Sequence, residues 1–416
     1  MQVGDVVPLA ALAVLLTIAY RHPRGSIELL GGLLAAGVTL WSGALTGHQT
    51  ATELDRLAPV VGFLAAILVV ADQCRAEGLF AAIGSRLAGR PPAVLFVLVF
   101  AAAVVVTVTL SLDATVVLLT PVVVVATAGS VVGEVACVRL ANSASLLLPV
   151  ANLTNLLAMP RLGLTFGGFV LRMAPAWLVV LALEYVVLGR LARRERLRPA
   201  PQLPAEQAAG APLPVPRFPT AVVALMLVGF VVSSPYGVHP VWVALAAALV
   251  LAGRGLAARR TDAVRLLHSA HLPFAVFVLC LGVVVAALGS GWLGDLVAHA
   301  VPSGPHRGDL AALLLVAALG GVLANLVNNL PATLLLVPLC APLGTTALLS
   351  LLVGINLGAS MTWTGSLANL LWRRTLRASG RPVPGRAFHL AGAATSPAAI
   401  VLAVVVLDGW SSLLGN

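Results

Sequence analysis

The sequence predicts an all-α polytopic membrane protein: two inverted five-crossing repeats, each with a re-entrant helical hairpin and an interrupted transmembrane helix. Three observations predict it. The 416-residue chain is 60% hydrophobic and 10% charged, with a mean hydropathy of +1.02. Its apolar runs reach about 17 to 25 residues, enough to cross a bilayer. Its second half overlays its first at an offset of about 213 to 218 residues, the signature of an internal duplication.

The runs are continuous in Leu, Val and Ala instead of alternating, which selects helices over a barrel. Lipid leaves no third choice, because each unpaired backbone group there costs several kcal/mol. The formal charge of +10 comes from arginines in short loops with no lysine and no aromatic interleaving, a pattern that argues against nucleic acid. The first run follows Asp5 without a basic n-region or cleavage site and reads as a retained span. Cys74, Cys137, Cys280 and Cys340 form no CxxC pair and read as buried small hydrophobes. No phosphate loop, HExxH or nucleophile elbow is present, so the chain is expected to be no enzyme and to use no ATP directly, no metal and no cofactor.

In order, the apolar segments are 6–20, 27–45, 57–71, 92–110, 114–129, 133–151 and 168–189, then 219–234, 239–253, 272–290, 309–326, 332–344, 347–361, 363–372 and 388–407. Between the two sets lies a Pro/Ala-rich stretch with six arginines. This gives an N-terminal repeat 1–190, a cytoplasmic linker 191–217 and a C-terminal repeat 218–416. "DATVVLLTP" (113–121) overlays "PATLLLVP" (331–338), and "NLTNLL" (152–157) overlays "SLANLL" (366–371). The pairs 92–110/114–129 and 309–326/332–344 are split by polar tips without a charged loop, so each reads as a re-entrant hairpin. Each half then crosses five times, and an odd number inverts the second half. With the linker inside, twenty arginines fall on the cytoplasmic side and only Arg56, Arg161 and Arg307 outside, in keeping with the positive-inside rule. An inner-membrane location with both termini outside follows.

Broken helices leave free N–H and C=O groups at membrane depth, which is tolerated only where they line a cavity. Four breaks occur. The tips are "SLDAT" (Ser111, Asp113, Thr115) and "NNLPAT" (Asn328, Asn329, Thr333). The interrupted spans are "LPVANLTN" (Asn152, Thr154, Asn155) and "GINLGASMTWTGSLAN" (Asn356, Ser366, Asn369). Short amides and hydroxyls both donate and accept, so they can satisfy broken backbone and hold a ligand. Gly354, Gly358 and Gly365 supply close-packed backbone. Asp113 must be paired, hydrated or protonated at that depth, which makes it the candidate proton carrier; the structural alternative is a helix N-cap. Its counterpart, Pro331, cannot titrate. His268 and His271 have no third ligand near them. Arg139 with Glu134, and Arg172 with Glu184, are expected to snorkel or pair.

At these four breaks the sequence resembles the ion transporter superfamily and, within it, the arsenite efflux permeases, through "SLDATVVLLTP", "SASLLLPVANLTNLL", "NLVNNLPATLLLVP" and "GSLANLLW". The resemblance implies a transport region moving elevator-fashion against a scaffold that often dimerises. It also implies secondary transport and, in some systems, a separate cytoplasmic ATPase subunit. It places Asp113 on the acid of the first tip, Asn152 and Asn155 on the first interrupted-helix pattern, Asn328 and Asn329 on the second tip, and Ser366 on the second Gly-Ser-Leu-Ala break. Leu112 departs from an Asn, Asn356 from a second acid, and "ASMTWT" from a Pro/Lys-containing run. The expected function is efflux of arsenite or antimonite coupled to H+, with Na+ as the other coupling ion. The alternatives are transport of a small anion such as a dicarboxylate or sulfate, or cation/proton antiport.

Overall fold

The computed structural model describes residues 3–21, 25–196, 212–302 and 309–415. The linker stretch 197–211, with Arg198 and Glu206, lies outside the described residues, as do Arg24 and Arg307. Before the linker come α1 (Val3–Arg21), α2 (Gly25–Trp41), α3 (Gly47–Ala76), α4 (Leu79–Leu87) and α5 (Pro92–Leu110). There follow α6 (Leu112–Ala114), a π turn (Thr115–Leu119), α7 (Thr120–Ala126), α8 (Val131–Ala144), α9 (Leu153–Leu162) and α10 (Phe166–Arg196). After it come α11 (Arg217–Ser233), α12 (Pro240–Ala257), α13 (Ala263–Ser269), α14 (Leu272–Gly289) and α15 (Trp292–Ala300). The remaining helices are α16 (Leu310–Val327), α17 (Asn329–Cys340), α18 (Thr345–Gly358), α19 (Leu367–Ala378) and α20 (Gly385–Leu414).

Every described element is helical, and eight helices are long and apolar enough to span a bilayer. The chain is a multi-pass membrane protein. Leu34, Leu225 and Leu249 stand outward on α2, α11 and α12, where lipid is their natural solvent. All four cysteines are buried and free.

Helix ends are set by local chemistry. Thr46 and Gln49 cap α3 reciprocally, each side chain bonding the other's backbone N–H. Ser130 caps α8, and the Glu195 carboxylate accepts from Val131 N at 2.7 Å and Val132 N at 3.2 Å, placing an anion where the helix dipole favours it. Proline opens α5 and α12 at positions whose N–H would be orphaned anyway.

The helices pack as two sets. One comprises α1, α2, α3, α11, α12 and α14, whose main contacts are α2 with α14 and α3 with α12. The other comprises α5 to α10 and α16 to α20, organised by α16 on α18, α10 on α20, α5 on α8 and α18 on α20. The sets meet where α14 touches α17 and where α3 touches α9.

The α16–α18 contact is backbone to backbone. A Cβ on Gly354 would overlap the carbonyl of Ala317, and one on Gly358 would overlap Gly321. Gly354→Ala is therefore expected to push these helices apart and cost about 1–3 kcal/mol, read as a lowered thermal midpoint of the purified protein in detergent. An unchanged midpoint would show that the two helices tolerate separation.

Candidate functional site

Each tip is one residue held at positive φ. Ser111 (φ 137°) ends α5 and Asn328 (φ 81°) ends α16, and each caps the helix after it: Ala114 N donates to Ser111 Oγ at 3.3 Å and Leu330 N to Asn328 Oδ1 at 3.3 Å. Such conformations store about 1–3 kcal/mol in a non-glycine residue. The N-cap reading of Asp113 is overturned: Ser111 holds that position, and Asp113 follows in the first turn of α6. Among the described residues, neither the Asp113 carboxylate nor the Asn329 amide makes a side-chain hydrogen bond. The Thr115 hydroxyl meets that of Thr107 at 2.7 Å and also bonds Ser111 O at 3.3 Å. Thr333 bonds back to Asn329 O at 2.7 Å.

The interrupted helices have matched geometry. After α8 the backbone runs through a 3-10 turn (Pro149–Ala151) to Asn152, extended at φ −143°, which caps α9. After α18 it runs through turns at Ala359–Met361 and Trp363–Gly365 to Ser366, extended at φ −144°, which caps α19.

One turn into each second half-helix, an asparagine ties the break together. Asn155 Nδ2 donates to Ser145 O (2.9 Å) and Leu148 O (3.2 Å); Asn369 Nδ2 donates to Ala359 O (2.7 Å) and Thr362 O (2.9 Å). These bonds satisfy the carbonyls of Ser145 and Ala359, which cap the first half-helices, and add a second donor to Leu148 O and Thr362 O in the connecting turns.

The two breaks are then cross-linked. Asn142 Nδ2 donates to Asn369 Oδ1 at 2.9 Å, and Asn356 Nδ2 donates to Asn155 Oδ1 at 2.9 Å. Asn356 Oδ1 accepts in turn from Asn152 Nδ2 (2.9 Å) and Thr154 Oγ1 (2.8 Å). Docking is crossed as well: α17 lies against α9, and α19 lies against the first tip's π turn and α7.

The structure thus joins Asn152, Thr154, Asn155, Asn356 and Asn369 into one buried network and uses most of their valences internally. The second tip joins its own break through Asn328 Nδ2 to Thr364 O at 2.8 Å. Among the described residues, Asn142 Oδ1 and Ser360 Oγ are buried without a partner.

Asn142 and Asn325 were not among the sequence candidates. Asn325 bridges Gly321 O and Gly358 O at 2.7 and 2.8 Å and accepts from Thr362. An offset of 214 residues, inside the range that the sequence overlay uses, puts Asn142 on Asn356.

The expected pairings of Arg139 with Glu134 and of Arg172 with Glu184 are corrected. Arg139 pairs with Glu184, Nε to Oε2 at 3.0 Å and Nη2 to Oε1 at 2.6 Å, with both side chains 1% exposed. Ser143 donates to Glu184 at 3.0 Å and Thr395 also meets Arg139. Glu134 instead pairs with Arg381, Nε to Oε1 at 2.8 Å.

Against known proteins, residues 8–348 match the family model described as citrate transporter. The chain belongs to the citrate transporter family. Among this family member's curated relatives is the arsenical pump membrane protein of Escherichia coli (strain K12), 28% identical over 250 residues. That of Yersinia enterocolitica is 27% identical over 256 residues. Each of these alignments covers 57% of this chain and 57% of the relative, so the chain matches little more than half the length of these proteins. An uncharacterized transporter of Mycobacterium tuberculosis is 25% identical over 387 residues, 86% of this chain and 87% of that protein.

Proposed function

We propose that this protein is a secondary active transporter that exports arsenite or antimonite in exchange for protons. Its two halves act as inverted repeats, its tips as re-entrant hairpins, and the set containing α5–α10 and α16–α20 as the moving region against the other set. The observation that carries this reading is the buried, crossed asparagine network beside two strained tips, one of which bears an unpaired carboxylate. Neutral trihydroxy arsenite suits a site of amides and hydroxyls, needing hydrogen bonds and no fixed cation. Relatives named arsenical pump membrane protein support the substrate class.

Binding of a proton neutralises Asp113 and lowers the cost of carrying the site past the scaffold. The parallel order of elements on either side of the linker supports two near-equivalent end states. The proposal includes a cytoplasmic linker, termini outside an inner membrane, a homodimer, and room for a separate ATPase subunit on the cytoplasmic arginines.

The test is arsenite accumulation in energised everted vesicles of an arsenite-sensitive host, with and without a protonophore. Accumulation that collapses with the protonophore supports the proposal. None above empty vesicles removes it in favour of a small carboxylate anion, the reading that the citrate family model favours and that helix N-termini at the breaks could serve without arginine. A citrate and sulfate panel in the same vesicles distinguishes the two.

A further inference from the structure

A cavity of about 450 Å³ opens at the end of the bundle where α3 begins, and none of the tip residues or of the residues of the asparagine network lines it. Its polar wall carries Glu53 and Arg56 from α3 and Arg161 from the last turn of α9. Its apolar wall is formed by Val285 of α14 and by Leu335 and Pro338 of α17. Two guanidinium groups therefore face one carboxylate.

Glu53 uses both oxygens on a single nitrogen, Arg56 Nη1, at 3.1 and 3.2 Å. Arg56 Nε and Nη2 are buried with no acceptor. Among the described residues Arg161 has no ion pair, and it lies close enough to Arg56 for their like charges to interact. A buried charged donor without an acceptor is costly, and with Glu53 as the one carboxylate beside both arginines a positive charge is left over.

We propose that this cleft is an anion site taking a carboxylate or phosphate group, with the Arg56 fork and Arg161 as its ligands and the apolar wall receiving attached hydrocarbon. The chemistry fits: a guanidinium presents parallel N–H donors matched to the oxygens of either group, and the volume suits a small organic anion. The position gives the site a consequence. α3 and α14 belong to one helix set, α9 and α17 to the other, so an occupied cleft ties the two sets together across their junction. The ligand acts as a brake on their relative movement. Free metabolite anions and lipid headgroups share this chemistry, and the experiment separates them.

The test is binding to the purified full chain in neutral detergent with no gradient, so its outcome does not depend on the transport proposal. The probes are citrate and inorganic phosphate by titration calorimetry, and mixed micelles containing phosphatidylglycerol or, as control, phosphatidylcholine. At least one anionic probe is expected to bind saturably. Arg56→Gln and Arg161→Gln are each expected to weaken it by about tenfold or more, the scale of a lost charge-assisted bond.

Arg161→Lys should retain part of the affinity. Glu53→Gln, which removes the competing carboxylate, should tighten binding, a gain that misfolding cannot imitate. Response to phosphatidylglycerol but to neither soluble anion assigns the site to lipid; response to citrate or phosphate assigns it to a free anion. The proposal is overturned if no anionic probe binds wild type or Glu53→Gln that elutes as a monodisperse peak. It is equally overturned if binding survives both arginine substitutions unchanged.

Discussion

Asp113→Asn is expected to abolish gradient-driven accumulation while leaving the protein folded. The carboxylate makes no side-chain hydrogen bond or ion pair among the described residues, and the cap of its helix belongs to Ser111, so a neutral isostere removes no native contact. What it removes is the difference between the charged and neutral carrier. Bringing an ionised carboxylate to membrane depth costs about 2.5–3.5 kcal/mol on insertion scales, so protonation gates movement by about a hundredfold. Asparagine mimics the protonated form permanently. The variant should therefore still exchange substrate for substrate across vesicles at equilibrium, yet fail to concentrate it when energised. Proton-driven accumulation at the wild-type level would exclude Asp113 as the carrier.

The second large effect concerns stability. Glu184→Gln leaves the Arg139 guanidinium buried at 1% exposure with its counter-charge gone, and is expected to destabilise the protein by about 3–5 kcal/mol. Replacing both partners with apolar residues, Arg139→Met with Glu184→Leu, should restore much of the loss, because an ion pair so deeply buried returns little beyond its own desolvation. The measurement is thermal unfolding of wild type, Glu184→Gln and the double variant in one detergent. A loss of less than about 1 kcal/mol in Glu184→Gln would mean that Arg139 is held chiefly by Thr395 and that Glu184 is incidental.

The crossing helices were legible because hydropathy is a local property, and a run such as 272–290 reports its own length. The short helices α4, α13 and α15 were not, since nine residues or fewer carry too little apolar periodicity to stand out beside spans. Asn155 and Asn369 were readable as members of breaks, but their work on the carbonyls of the preceding turn was not. Pairing was the hardest to read. Arg139 was assigned its nearest acid in sequence, whereas its partners lie 45 and 256 residues away, and only the packing of α8 on α10 and α20 brings them together.

The π turn between α6 and α7 sets the two halves apart. From Asp113 to Pro121 the chain has nine residues where Pro331 to Pro338 has eight, and the π turn at Thr115–Leu119 lies inside that span, while α17 runs as an unbroken α-helix. A helix that must house one surplus residue bulges, loosening its bonds from four residues to five without disturbing either end. On the duplication proposed above, the bulge is the scar of a single inserted codon. It leaves both tips equivalent in shape but makes one arm more deformable than the other. A mechanism built on two mirrored poses would then meet unequal energies in them, and an inequality of that kind is how a symmetric ancestor can come to favour one direction.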